Sequence, residues 1–219
     1  MSAQTPNPVY RAARSLARFL LRSLARFLLH LLFGYRTEGA ERVPEEGPVI
    51  LAANHLSILD PIAIWAGLRR PVSFLARAEL FRLPFLSWLL PRFYAIPVER
   101  GTGDLAAIKN ALRALERGFA FCIFPEGTRS RDGRLKPFKS GVAAIALRTG
   151  SPVVPVAVWG TDRAWPVGRR LFRLRQPVRV VYGEPIPVPR KDKVTHQELE
   201  NLTREIEARV RELLPPQYR

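Results

Sequence analysis

Cysteine is nearly absent from this 219-residue chain, Cys122 being the only one. That excludes an internal disulfide and a cysteine-based metal cluster. Cys122 lies in the apolar run 119–124, where a small buried hydrophobe is the expected role. Histidine is scarce as well, and His30, His55 and His196 are not arranged as a metal site. No stretch of about 18 uncharged apolar residues occurs, so no segment reads as a membrane-spanning helix. Acidic residues are few, 19 Asp and Glu against 35 Lys and Arg, and residues 1–36 contain none. The resulting net charge of +16 calls for an anionic partner: nucleic acid, a membrane surface or a phosphorylated ligand.

The length is that of one domain with a proper core, and 47% hydrophobic residues place it among folded chains. Apolar runs at 48–52, 72–76, 94–100, 119–124, 153–158 and 178–182 read as strands. Several are continuously apolar rather than alternating, the mark of strands buried on both faces. Helices are expected at 61–68, 102–116 and 141–148, with Gly118 and Gly150 as stops. Thr195 and Glu198 form a capping box for a last helix running to about 213. Pro84 and Pro91 break 78–93 into two short apolar helices, a core layer or a wall for an acyl chain. Strand–helix alternation of this kind predicts an α/β fold: a largely parallel central sheet with helices on both faces, spanning 36–219.

Residues 1–35 form a separate segment. Within it 9–33 read as a helix with an internal repeat, 15–21 and 23–29 both being Ser-Leu-Ala-Arg-Phe-Leu-Leu. Arg11, Arg14, Arg18, Arg22 and Arg26 step by three or four and fall within an arc of about 120°. Leu16, Phe19, Leu20, Leu24, Phe27, Leu28 and Leu31 fill most of the rest. A basic amphipathic helix with a wide apolar face is the pattern of one lying in a membrane interface. A surface helix packed on its own domain and an Arg-rich presequence are the competing readings. A second arginine cluster occupies 163, 169, 170, 173, 175 and 179.

Two polar clusters follow strands. The first, 54–61, contains Asn54, His55 and Asp60. His55 is its one side chain with an unperturbed pKa, about 6.5, suited to proton transfer near neutrality. Asp60 could fold back across the turn and hold the second imidazole nitrogen, a base-and-orienter pair. Asp60-Pro61 is equally a good helix start, with Asp at the N-cap and Pro after it, and Asn54 could simply close a turn. The second cluster, 125–133, follows the 119–124 strand. Gly127 admits close backbone approach, Thr128 and Ser130 offer hydroxyls, and Arg129 offers a planar fork suited to phosphate. Arg100, ending the 94–100 strand, is a further phosphate candidate.

Together the clusters resemble the motifs of the glycerolipid acyltransferases typified by 1-acyl-sn-glycerol-3-phosphate acyltransferase. Asn54-His55 with Asp60 is similar to the first motif, 96–100 ending in Arg100 to the second, 124–130 (Phe-Pro-Glu-Gly-Thr-Arg-Ser) to the third, and 153–156 to the fourth. The resemblance covers about 36–186 and rests chiefly on the first and third. It implies transfer of a fatty acyl group from a thioester, acyl-CoA or acyl carrier protein, to the free hydroxyl of lysophosphatidic acid. His55 would be the general base and Asp60 its orienter. Glu126, Gly127, Thr128 and Arg129, with Arg100, would hold the acceptor phosphate, Lys139 being placed nearby by adjacency alone. No acyl-enzyme, metal or cofactor is implied. Another lysolipid acceptor keeps the same chemistry. Of the other classes, a non-catalytic membrane-binding module is disfavoured by the intact His55 and Asp60. A nucleic-acid-binding protein is disfavoured because the N-terminal arginines interleave with Leu and Phe and no such motif is present. The expected location is the cytoplasmic face of the cell membrane, held peripherally or monotopically by an anionic surface.

Overall fold

The computed structural model describes residues 8–98, 103–169 and 171–219. In order the chain forms α1 (Pro8–Phe33), β1 (Arg36–Glu38), β2 (Val49–Ala53), α2 (Asp60–Gly67), β3 (Val72–Arg77), α3 (Pro84–Leu89) and β4 (Ala95–Val98). It continues with α4 (Gly103–Glu116), β5 (Ala120–Ile123), α5 (Gly141–Thr149), β6 (Val153–Trp159), the single-turn α6 (Thr161–Ala164), β7 (Arg179–Tyr182) and α7 (His196–Leu213).

The strands make one sheet in the order β1-β7-β6-β2-β5-β3-β4. Every neighbouring pair is parallel except β6 and β7. That exception follows from the connection, because 160–178 returns the chain without crossing the sheet and so reverses it. The 160–178 connection therefore lies at the C-terminal edge of the parallel strands. All five residues of central β2 are buried, which is why the run is apolar throughout. Val49, Leu51 and Ala53 face the layer of α1 and α2, with Leu29, Phe33, Ile64 and Trp65. Ile50 and Ala52 face α4, α5 and α7, through Ala111, Leu115, Val142, Ile145, Ile206 and Val210. The expected α/β architecture, largely parallel and covered on both faces, is the one observed.

Local differences have physical causes. Segment 78–93 makes three short turns rather than two helices: a 3-10 turn Ala78–Arg82, α3, and a second 3-10 turn Leu90–Phe93. Each proline starts a turn, as its missing N–H and fixed φ favour. Phe93 is buried edge-on to Trp65 at 4.4 Å, whereas Leu83 and Trp88 are exposed. Asp60 is not an N-cap; Leu59 holds that position without a side-chain cap, and Asp60 is the first helical residue. The capping box of α7 forms as expected, with Thr195 Oγ1 accepting from the Glu198 amide. Arg70, one more basic residue in the sequence, is buried and donates to the carbonyls of Pro44, Gly47 and Gly118, tying loops at the opposite edge.

The orientation of α1 is informative. Two of its arginines are turned toward the domain, where Arg22 Nη1 donates to the Leu68 carbonyl at 2.9 Å and Arg18 to the Tyr94 hydroxyl. Leu29 and Phe33 on the same side enter the core. The apolar arc, Leu16, Phe19, Leu20, Leu24, Phe27, Leu28 and Leu31, faces away from the protein and is exposed. Among the described residues no helix is long and apolar enough to cross a membrane.

Candidate active site

The site is built where β2, β5 and β6 end. Asn54, the first residue after β2, is buried and reaches sideways to β6. Its Nδ2 donates to the Val158 carbonyl and its Oδ1 accepts the Val158 amide, both at 2.8 Å. This pair fixes the start of the loop that carries His55. Asp60 is fully buried, and its Oδ2 gathers three donors: His55 Nδ1 at 2.7 Å and the amides of Leu56 at 2.6 Å and Ser57 at 2.7 Å. One carboxylate oxygen thereby shapes the turn and aims the imidazole. With Nδ1–H donating to Asp60, Nε2 is the nitrogen left as an acceptor. The ring stacks on Phe124, centroids 4.0 Å apart and planes within 21°. Its side chain is 19% exposed, whereas that of Asp60 is fully buried. The Ser57 hydroxyl donates to the Trp165 carbonyl at 2.7 Å, so it holds the loop and is not a nucleophile on the imidazole.

The loop after β5 grips the same peptide. Glu126 is buried with its carboxylate turned inward, and Oε1 accepts the His55 amide at 2.7 Å. From the other side the Ser130 amide donates to the His55 carbonyl, also at 2.7 Å. Burial pushes the Glu126 carboxyl up to about 7; the His55 amide and the amide and charge of Lys136 oppose this, while Asp60 adds to it. Its second oxygen is buried without a partner among the described residues. Gly127 has φ +71°, and a Cβ there would come within 3.1 Å of the Lys139 side chain, so glycine meets both the turn and the close approach. The outer surface of the loop carries exposed Thr128 and half-buried Arg129, and Lys136 Nζ donates to the Arg129 carbonyl at 3.3 Å.

The structure thus brings together His55, Asp60, Glu126, Gly127, Thr128, Arg129 and Lys139. Glu126, expected among the phosphate ligands, instead braces the His55 backbone. Arg100 lies outside the described residues. Sequence reasoning missed Asn54 as the β2–β6 tie, Phe124 as the ring's support, Ser130 as a backbone clamp and Lys136 as a second cation. Lys136 was visible in the run 136–139; the other roles are long-range contacts with no local signal.

A buried carboxylate holding an imidazole at the C-terminal edge of a parallel sheet has the geometry that a general base and its orienting group require. The acyltransferase family matches residues 34–159, more than half of the chain, and the chain belongs to that family. It is 34% identical over 157 residues to the chloroplastic 1-acyl-sn-glycerol-3-phosphate acyltransferase BAT2 of Brassica napus, covering 69% of this chain and 45% of that protein. It is 30% identical over 176 residues to the chloroplastic LPAT1 of Arabidopsis thaliana, covering 79% and 49%. The chain spans about half the length of these curated relatives. The crystal structure of the 1-acyl-sn-glycerophosphate acyltransferase PlsC from Thermotoga maritima superimposes with a TM-score of 0.76 at 30% identity, covering 96% of this chain and 84% of that one.

Proposed function

We propose that the protein transfers a fatty acyl group from an acyl thioester, acyl-CoA or acyl carrier protein, to the free sn-2 hydroxyl of lysophosphatidic acid, giving phosphatidic acid. The observation that carries this reading is the His55–Asp60 pair at 2.7 Å, its carboxylate buried and its imidazole partly exposed. His55 Nε2 takes the proton of the acceptor hydroxyl as its oxygen attacks the thioester carbonyl. Asp60 balances the imidazolium. The tetrahedral intermediate expels the thiolate, which takes the proton back, so the histidine ends as it began and no acyl-enzyme is formed. A positioned base of this kind contributes about 10²–10⁴-fold.

Arg129, Lys136 and Lys139 give the loop after β5 a cationic lip for the acceptor phosphate, with Arg100 as a further ligand; Gly127 and Thr128 line the approach. Glu126 serves this site by fixing the His55 peptide. The names of the relatives, 1-acyl-sn-glycerol-3-phosphate acyltransferases, support the acceptor class. A lysolipid without a phosphate would leave the lip without a counter-charge. Residues 1–35 act as a membrane-interface segment on the catalytic domain 36–219, with the outward apolar face of α1 entering an anionic bilayer at the cytoplasmic face of the cell membrane.

The test is acyl transfer from radiolabelled oleoyl-coenzyme A to lysophosphatidic acid in detergent, with His55→Ala alongside. Phosphatidic acid from the wild type alone is the expected result. Equal product from both removes His55 as the base. No product from either, repeated with acyl carrier protein as donor, removes lysophosphatidic acid as the acceptor.

A further inference from the structure

The connection between β6 and β7 exposes three large apolar side chains that the catalytic reading does not use: Leu171 at 81%, Phe172 at 45% and Leu174 at 54%. From Arg163 to Gly183 the chain contains no Asp or Glu. The backbone around these residues is fastened. The Arg173 amide donates to the Ala164 carbonyl at 2.7 Å, and Trp165 Nε1 to the Arg169 carbonyl at 2.9 Å. The Arg175 amide donates to the Leu32 carbonyl at 2.8 Å, and the Val178 amide to that of Phe33 at 3.1 Å. Phe172 meets Phe33 edge-on at 5.8 Å. Arg175 takes a left-handed φ of +58°, uncommon outside glycine, and so turns the chain directly after Leu174. One root of this loop is therefore tied to the last turn of α1, beside exposed Leu31. The other root, Trp165, is bonded to Ser57, two residues from His55.

We propose that the 166–175 loop is a second membrane-contact element, seated in the interface of an anionic bilayer beside α1 and holding the mouth of the active site against the lipid surface. This rests on the reading of α1 as an interfacial helix. Two observations favour a bilayer over a protein partner. The loop is bonded to the last turn of α1, which itself carries exposed Leu31, rather than standing apart from that helix. Its exposed apolar residues alternate with exposed Arg169, Arg173 and Arg175, whose guanidinium groups would stay with lipid phosphates while Leu171 and Leu174 enter the acyl boundary.

Cys122 is buried, so a cysteine introduced at the surface is labelled selectively. Full-length Leu171→Cys and Leu24→Cys, each carrying a nitrobenzoxadiazole dye, are mixed with vesicles of equal parts dioleoyl phosphatidylglycerol and dioleoyl phosphatidylcholine. The expected result is a blue shift at both positions and quenching by lipids with doxyl groups on their acyl chains. A label that enters the bilayer at 24 but stays in water at 171 overturns the loop and leaves the helix reading standing. Entry at 171 without entry at 24 supports the loop and removes the helix reading; entry at neither overturns both. In parallel, the double variant Leu171→Ser, Leu174→Ser, which keeps Phe172 on Phe33, lowers vesicle partitioning by about 10–100-fold. Unchanged partitioning overturns the proposal.

Discussion

At the C-terminal edge of the sheet, Asn54, Ser57, Asp60, Glu126 and Ser130 are polar and buried; along α1, Leu16, Phe19, Leu20, Leu24, Phe27 and Leu31 are apolar and more than half exposed. Both regions depart from the usual distribution, in opposite senses. They differ in where the compensation lies. The buried polar groups find their partners inside the chain: Asn54 on Val158, Asp60 on three donors, Glu126 and Ser130 on the two ends of the His55 peptide. The exposed apolar groups of α1 face away from the domain, whose contacts with this helix are made by its other side. Buried polar atoms that bond inside the chain hold a geometry, although Asp60 Oδ1 and the second Glu126 oxygen are buried without a partner among the described residues; the apolar face of α1 is turned away from the domain that its other side packs against.

The sharpest way to break this comparison is at its buried half. Asp60→Asn keeps the shape but offers an amide where a carboxylate collected an imidazole and two backbone amides. It should lower kcat/KM by about 10²–10⁴-fold while the secondary structure persists. Steady-state kinetics beside circular dichroism checks this, and activity within a few-fold of wild type would separate Asp60 from the chemistry. Next in size is Asn54→Ala, which strands the Val158 amide and carbonyl. With each buried orphan worth about 1–3 kcal/mol, unfolding free energy should fall by about 2–6 kcal/mol in a urea titration. A loss under 1 kcal/mol would mean that the tie between β2 and β6 is dispensable.

These two residues also show how far the sequence carries. Periodicity and continuous apolar runs located the strands and helices, because burial on both faces leaves a local imprint, as in 49–53. The His55–Asp60 pair was legible because its members lie five residues apart and one turn joins them. The Asn54–Val158 pair spans 104 residues, and nothing local distinguishes it from a turn-closing asparagine. Asp60 read equally as an N-cap because the same residue type serves both roles, and only the direction of its carboxylate decides. Glu126 was placed among the phosphate ligands by the resemblance alone; here its carboxylate is turned inward onto the His55 amide, a contact between two loops 71 residues apart. The amphipathic character of α1 was plain in the repeat, whereas which side would meet the domain depended on the acceptors at Leu68 and Tyr94.

Glu126 gives the next smaller effect and ties the comparison to pH. In the unfolded chain its proton leaves near the ordinary carboxylate value of about 4.3; in the folded protein burial holds it to about 7. Between those values the unfolded state binds fewer protons than the native state, so this group's contribution to stability falls as pH rises and levels off above 7. Glu126→Gln removes the titration and keeps an oxygen for the His55 amide. Relative to wild type, the variant should gain about 2–3 kcal/mol between pH 4 and pH 8. Urea unfolding of both proteins at those pH values isolates the group, because every other titration is shared. A difference that does not move with pH would mean that the carboxylate is solvated.

The smallest effect on the folded protein belongs to α1, and its smallness is the point. Leu20→Ser with Leu24→Ser changes two side chains that are more than half exposed and touch little of the domain. Stability in vesicle-free buffer should stay within about ±0.5 kcal/mol of wild type, as for other surface substitutions. Partitioning onto phosphatidylglycerol vesicles, measured by co-sedimentation, should fall by about 10–100-fold, because two apolar side chains no longer leave water. If stability drops by 2 kcal/mol instead, those leucines are core residues of the free protein and the two regions are not opposites. If stability holds and partitioning falls, the same chain carries one set of misplaced side chains to fix a histidine and another to meet a lipid surface, and the two can be altered independently.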